Sequence, residues 1–279
     1  MVKLGRYNIL KVVKNVDFGA YLDGGEGVEI LLPTRYISKP LHPGEEIEVF
    51  IYRDNEGRLI ATTEHPFAQV GEFAFLQVSD VNKHGAFLDW GLMKELLVPY
   101  SEQRVKLGRG MIIPVYVYLD DASKRIVASA KIEKFLGNRV PAYKRGDKVK
   151  ALVLKRTEQG YKTIVDDLFF GMVYENELYE PMEIGETVDA FVKQVRDDGK
   201  IDLVLHGGND GRIDSLAAEV MKRLLDQPDG FLPLNDTSSP EAIRGTFHCS
   251  KKDYKKAIGS LYRDRAISIE EYGIRLVNK

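Results

Sequence analysis

Short runs in which apolar and polar residues alternate, punctuated by Gly, Asp and Asn, occupy the chain as far as Leu205. That rhythm predicts half-buried β-strands. The runs favour Val, Ile, Tyr and Phe, the residues suited to a pleated surface. One series of runs occurs twice, in Leu10–Asp23 and again in Leu76–Asp89. Placing Gly19 on Gly85, an offset of 66 residues, sets Ala20 on Ala86, Tyr21 on Phe87, Leu22 on Leu88 and Asp23 on Asp89. The similarity continues: Val28–Pro33 matches Lys94–Pro99, Pro43–Tyr52 matches Leu107–Tyr118, and the closing turn and strand Asp54–Thr62 matches Asp121–Ser129. A repeat of this length supplies five short strands. That is enough for a small closed barrel of the OB type and too few for an immunoglobulin-like sandwich.

A third unit begins near Tyr143 and runs through Val188–Leu205 with the same alternation. Its middle, Gln159–Val165, lacks the aromatic residues that flank Gly-Ala in the first two, so it reads as a degenerate third barrel. Leu136–Tyr143 reads as a linker. Beyond Gly207–Gly211 the period changes. Ile213, Leu216, Ala217, Val220, Leu224 and Leu225 fall at helical spacing. A second helix is predicted from Ser239, a capping residue followed by Pro240 at the first helical position. A third is predicted from Ser250, with Asp253 placed as the acidic half of a capping box. Its apolar stripe is Tyr254, Ala257, Ile258, Leu261 and Tyr262. Two short strands, Ala266–Ile269 and Gly273–Val277, close the chain. The predicted fold is therefore mainly β and multidomain: three tandem five-stranded OB barrels, then a small α/β winged helix. The expected bounds are 1–65, 66–135, 143–207 and 212–279.

Charge narrows the function. The net charge is −2, so any nucleic-acid binding must come from local patches or aromatic platforms. The single cysteine, Cys249, excludes an internal disulfide and a cysteine-based zinc site, and it reads as a buried structural residue. Five scattered histidines show no metal-ligand spacing. No carboxylate recurs with a His or Lys at a spacing that suggests acid–base catalysis. Gly24–Gly27 lacks the Gly-Lys-Ser/Thr ending of a phosphate loop. The expectation is a protein that is not an enzyme and carries no metal or cofactor. Met1–Tyr7 lacks the apolar run of a signal peptide, and no stretch approaches a membrane span, so a cytoplasmic location is expected.

Three sets of residues are candidates for binding. The pairs Phe18/Tyr21 and His84/Phe87 flank Gly-Ala in the two repeats. Residues three apart share a strand face only if the strand bulges, and Gly19 and Gly85 are the places for such a bulge or for a close backbone approach. Two neighbouring flat rings would then stack unpaired bases; the alternative is that one ring of each pair fills the core. Arg58 and Arg125 lie four residues after Asp54 and Asp121, either as phosphate contacts or as partners of those carboxylates in solvated turns. Lys83 adds charge beside His84. In the last domain, Lys251, Lys252, Lys255, Lys256, Arg263 and Arg265 outnumber Asp253 and Asp264 by four between Ser250 and Arg265. Such a run is either a nucleic-acid-binding face or a solvated helix surface.

The barrels resemble the S1 domain, the OB-fold RNA-binding repeat. Its aromatic–Gly–Ala–aromatic strand is matched by Phe18–Tyr21 and His84–Phe87, and its Asp and Arg in the last hairpin by Asp54/Arg58 and Asp121/Arg125. The resemblance implies single-stranded RNA as the ligand, with Phe18, Tyr21, Arg58, His84, Phe87 and Arg125 as contacts. One departure stands out. The family often carries a His between strands three and four, where this chain has Pro33 and Pro99. The whole arrangement, with the tail segment Ser250–Tyr262 as its most specific part, is similar to the conserved virulence factor B family of bacterial RNA-binding proteins. That resemblance implies a post-transcriptional regulator of gene expression. Two other readings stay open: a DNA-binding transcription regulator using the winged helix, and a protein–protein adaptor on the ribosome or a nuclease.

Overall fold

The computed structural model describes residues 2–137, 139–175, 178, 181–205 and 208–277. It divides into two compact units, one up to Leu136 and one from Gly137 onward.

The first unit holds two barrels of identical topology. In the first, β1 (Tyr7–Val16), β2 (Gly19–Asp23), β3 (Glu29–Pro33), β4 (Glu46–Arg53) and β5 (Leu59–Thr62) close in the order β1-β2-β3-β5-β4. In the second, β6 (Phe73–Asn82), β7 (Gly85–Asp89), β8 (Leu96–Pro99), β9 (Ile112–Leu119) and β10 (Ile126–Ser129) close in the order β6-β7-β8-β10-β9. Each barrel closes through one parallel contact, Leu31 with Ile60 and Leu97 with Val127.

The expected bulge at the glycines is not there. The first strand bulges instead, between Val12 and Lys14 and between Val78 and Asp80. This lets one long strand bend and pair on both sides. Gly19 and Gly85 serve the other purpose. Their φ values are +156° and +147°, and a Cβ there would lie 2.2 Å and 2.3 Å from the carbonyl oxygens of Leu32 and Val98. Only a residue without a side chain fits so close to the next strand.

Alternation breaks down in β4. Val49, Phe50, Ile51 and Tyr52 are all buried. Val49 and Ile51 point into the first barrel, whereas Phe50 and Tyr52 point outward and join the core of the second. The Phe50 ring meets Trp90 edge-on at 5.7 Å and Tyr7 at 5.6 Å. Lys94 Nζ donates to the carbonyls of Arg53 and Asp54, at 2.9 Å and 2.7 Å. The first barrel keeps its own core, and the core of the second extends across the junction to the outward face of β4.

The second unit opens with β11 (Lys148–Thr157), β12 (Gly160–Val165), β13 (Phe169–Tyr174), β14 (Thr187–Val195) and β15 (Ile201–Val204), closed in the order β11-β12-β13-β15-β14. The first-strand bulge recurs between Val153 and Lys155. The expected bound of this barrel at 207 lies outside the described residues. Helices α1 (Gly208–Asp226), α2 (Pro240–Phe247) and α3 (Lys251–Arg263) follow, with strands β16 (Phe231–Leu232), β17 (Ile267–Glu270) and β18 (Gly273–Leu276) in the order β16-β18-β17.

The predicted caps are in place. Ser239 Oγ accepts from the Ala242 N–H, and Ser250 Oγ accepts from that of Asp253. Two features differ from expectation. A third strand, β16, pairs with β18, and two residues are too few to show a period. Leu225 and Tyr262 are not part of the buried stripes; both are exposed, because Leu224 and Leu261 beside them take the inward positions. The fold class is the one the sequence predicts: among the described residues, three closed five-stranded barrels and then a winged helix.

Candidate nucleic-acid interface

In each of the first two barrels a two-residue turn joins the first strand to the second. Val16 pairs with Gly19 and Asn82 with Gly85, so Phe18 and His84 sit in turns and not in strands. The turn, and not a strand bulge, brings each of them to the face carrying Tyr21 or Phe87. The Phe18 carbonyl accepts from the Thr34 N–H at 3.0 Å, which fixes the first turn on β3. Phe18 is 58% exposed, and its ring lies 6.3 Å from that of Tyr21 at an angle of 86°. The two rings are neighbours, as expected, but perpendicular and not coplanar. Lys14 Nζ lies 5.0 Å above the Tyr21 ring and pairs with Glu29 at 2.6 Å.

On the strands, Tyr21, Leu31 and Ile60 form one outward row, and Phe87, Leu97 and Val127 form the equivalent row. Tyr21 and Phe87 are half-buried, while Ala20, Leu22, Ala86 and Leu88 beside them fill the cores. Lys83 and His84 are exposed on the second turn.

The two arginines differ. Arg58 is held by Asp54 at 2.7 Å and Glu56 at 2.8 Å. Its hydrogen bonds to Asp54 raise the guanidinium pKa. Burial pushes the Asp54 carboxyl up, but those bonds outweigh it and hold the group below its usual range. Arg125 has no ion pair among the described residues. Its expected partner was Asp121, yet Asp121 faces Lys124 at 3.7 Å. The residue standing where Asp54 stands in the first barrel is Asp120, whose N–H donates to the Arg125 carbonyl at 2.9 Å, as Asp54 donates to Arg58. The second turn is one residue longer, which displaced the sequence match.

Three further residues join this face without having been singled out in the sequence. Tyr52, Trp90 and Lys94 line a cavity with His84, Phe87 and Arg125. Lys94 had a visible signal, since it stands where the first repeat has Val28. Burial lowers its pKa, and Arg125 and Arg53 lower it further against the opposing pull of Asp54.

The third barrel is built differently. Gln159 and Lys162 occupy the places of Phe18 and Tyr21. Tyr161 is turned into the core, and Lys162 Nζ lies 3.8 Å above the Phe170 ring.

On α3, Lys251 donates to the Thr237 carbonyl at 3.2 Å and Lys255 faces Asp236 at 3.6 Å. Lys252, Lys256 and Arg263 are exposed and have no ion pair among the described residues. Lys252 and Lys256 are four apart on one face, with Arg263 two turns further along it. Across the strand turn, Glu270 and Glu271 have their carbonyls bonded to the buried Asn235 side chain. Among the described residues no group of His, Cys, Asp and Glu could hold a metal, and no helix is long and apolar enough to cross a membrane.

The S1 domain family matches residues 4–64 and 70–131, and the CvfB-like winged helix domain matches residues 218–276. Conserved virulence factor B of Staphylococcus aureus is 30% identical, over 91% of this chain and 87% of its own length. The chain belongs to the conserved virulence factor B family. The Staphylococcus haemolyticus member is 29% identical over 99% of this chain and 95% of its own length. Uncharacterized protein YitL of Bacillus subtilis is 28% identical over 93% and 89%. Membership of this family, with its S1 and winged-helix domains, points to nucleic-acid binding.

Proposed function

We propose that the chain binds single-stranded RNA without catalysing a reaction, as a cytoplasmic post-transcriptional regulator. The contacts are Phe18, Tyr21, Arg58, Lys83, His84, Phe87 and Arg125 on the barrels and Lys251, Lys252, Lys255, Lys256 and Arg263 on α3. The domains run 1–65, 66–135, 143–207 and 212–279. The ribosome or an RNA-processing protein is the further partner that suits this reading. The observation that carries it is Phe18, a large apolar ring left 58% exposed beside Tyr21. A ring there contributes nothing to the core, while unpaired bases stack on such rings at about 1–3 kcal/mol each. The duplex-DNA reading is weaker, because a duplex offers no unpaired base to stack on the exposed Phe18 ring. Crosslinking in cells followed by sequencing of the bound nucleic acid tests the proposal: transcripts should dominate, and recovery of genomic DNA alone would overturn it.

Two expectations follow from the charges. Of the eight lysines and arginines among the proposed contacts, Arg58, Lys251 and Lys255 are engaged within the chain; about five phosphate contacts then give a slope of log affinity against log salt of about −3.5 on a single strand. Titration across a salt series checks this, and a slope near −8 would place the affinity in the cations and not the rings. The second concerns α3. Lys252→Glu, Lys256→Glu and Arg263→Glu together should lower affinity for long RNA by on the order of a hundredfold, with little effect on short oligomers that cannot reach two modules. None of the three belongs to the buried stripe, so the domain stays folded. Affinity measured against RNA length gives the answer: curves that superpose for wild type and variant would make α3 a solvated face.

A further inference from the structure

The junction of the first two barrels encloses a cavity of about 270 Å³ to which both barrels contribute walls. Tyr52 comes from the first barrel, and Phe87, Trp90 and Leu97 come from the second. A neighbouring hollow of about 420 Å³ shares Tyr52, Phe87, Lys94 and Glu95 with it and opens toward Arg35 and Asp54. Small-molecule pockets start at about 300 Å³. The space therefore suits one planar ring and its substituents, and not a folded segment of a protein.

Its chemistry is two-sided. The floor and one wall are aromatic. The rim is cationic: Lys94 Nζ spends two of its three donors on the Arg53 and Asp54 carbonyls. Asp54 gives its carboxylate to Arg58. Arg125, also on the rim, has no ion pair among the described residues. Lys94 and Arg125 line the same cavity, neither has an ion pair among the described residues, and each disfavours the other's charge; a bound phosphate would relieve that repulsion, with Glu95, also on the lining, the one carboxylate it must avoid. A flat ring joined to an anion is the chemistry of a nucleotide. We propose that the junction cavity holds a single nucleotide, its base against Phe87 over the floor of Tyr52 and Trp90, its phosphate against Lys94 and Arg125. The proposal rests on the RNA reading for Phe87 and Arg125, and it adds Tyr52, Trp90 and Lys94 as a site made by two barrels jointly. The nucleotide is either one residue of a strand or a free monophosphate.

Trp90 is the chain's one tryptophan, so its emission reports on the cavity directly. The full chain is titrated with oligo-U and with uridine 5′-monophosphate while Trp90 emission is followed, and labelled oligo-U anisotropy is read in parallel. A saturable change in emission with oligo-U is expected. Lys94→Met should weaken the binding that produces it by about tenfold to a hundredfold, the loss of one charge-assisted contact. Leu97→Glu, which places a negative charge on the wall, should do the same and serves if Lys94→Met does not fold. Saturation by the monophosphate as well assigns free nucleotides to the site; saturation by oligo-U alone assigns a strand residue, and either supports the proposal. Oligo-U that binds by anisotropy with flat Trp90 emission, and with wild-type affinity in both variants, would overturn the cavity but not RNA binding. Absence of any anisotropy change would overturn RNA binding itself, and a flat monophosphate titration would then remove the cavity too.

Discussion

A chain in which Tyr21 and Phe87 are both replaced by alanine keeps its fold and loses about 2–6 kcal/mol of affinity for single-stranded RNA, one stacking contact per ring. That is between about thirtyfold and twenty-thousandfold in Kd. The fold survives because these rings lie on the outer face of β2 and β7. The inward positions beside them belong to Ala20, Leu22, Ala86 and Leu88, all of which are fully buried. Truncation therefore removes surface and opens no core cavity. The check is affinity for oligo-U together with circular dichroism and thermal unfolding of the double variant. Loss of the folded signal would show that the rings are core, and a folded variant with wild-type affinity would show that they are idle.

Phe50→Ala produces a large loss of stability. Phe50 is fully buried, packs edge-on against Trp90 and Tyr7, and belongs to the core of the second barrel where it extends across the junction. Deleting a buried phenyl ring costs about 3–5 kcal/mol, because the space it leaves collapses only in part. The midpoint of thermal unfolding should fall by on the order of 10 °C. Trp90 touches the vacated space, so its emission should shift in the folded variant as well. A loss under about 1 kcal/mol would mean that the outward side of β4 is not structural.

Much of this architecture can be read from the sequence, because the repeat encodes it. An offset of 66 residues between Gly19 and Gly85 is enough to define two barrels, and the same glycine recurs as Gly160 in the third. The joint between the barrels is not legible in the same way: Val49–Tyr52 is an unbroken apolar run, but so is Ile112–Leu119, whose alternate residues stay partly exposed.

The site was less legible. Phe18 and Tyr21 come together through a hairpin turn, whereas a spacing of three within a single strand requires a bulge. The second closing turn holds one residue more than the first, so Asp120 and not Asp121 takes the place of Asp54, and that extra residue shows only once the strands are paired. Lys251 and Lys255 looked equivalent to Lys252 and Lys256, but the loop at Asp236 and Thr237 draws the first two aside. Tyr52, Trp90 and Lys94 come together only because two barrels meet, and no spacing within one repeat shows that.

The central claim is that this chain reads unpaired RNA through rings on its barrels. The measurement that tests it most directly compares, at one salt concentration, the affinity of the full chain for single-stranded oligo-U and for duplex DNA of equal length. The account predicts that the RNA binds tighter by about tenfold or more, since only unpaired bases can stack on Phe18, Tyr21 and Phe87. Duplex DNA binding as tightly as the RNA, or more tightly, would contradict it.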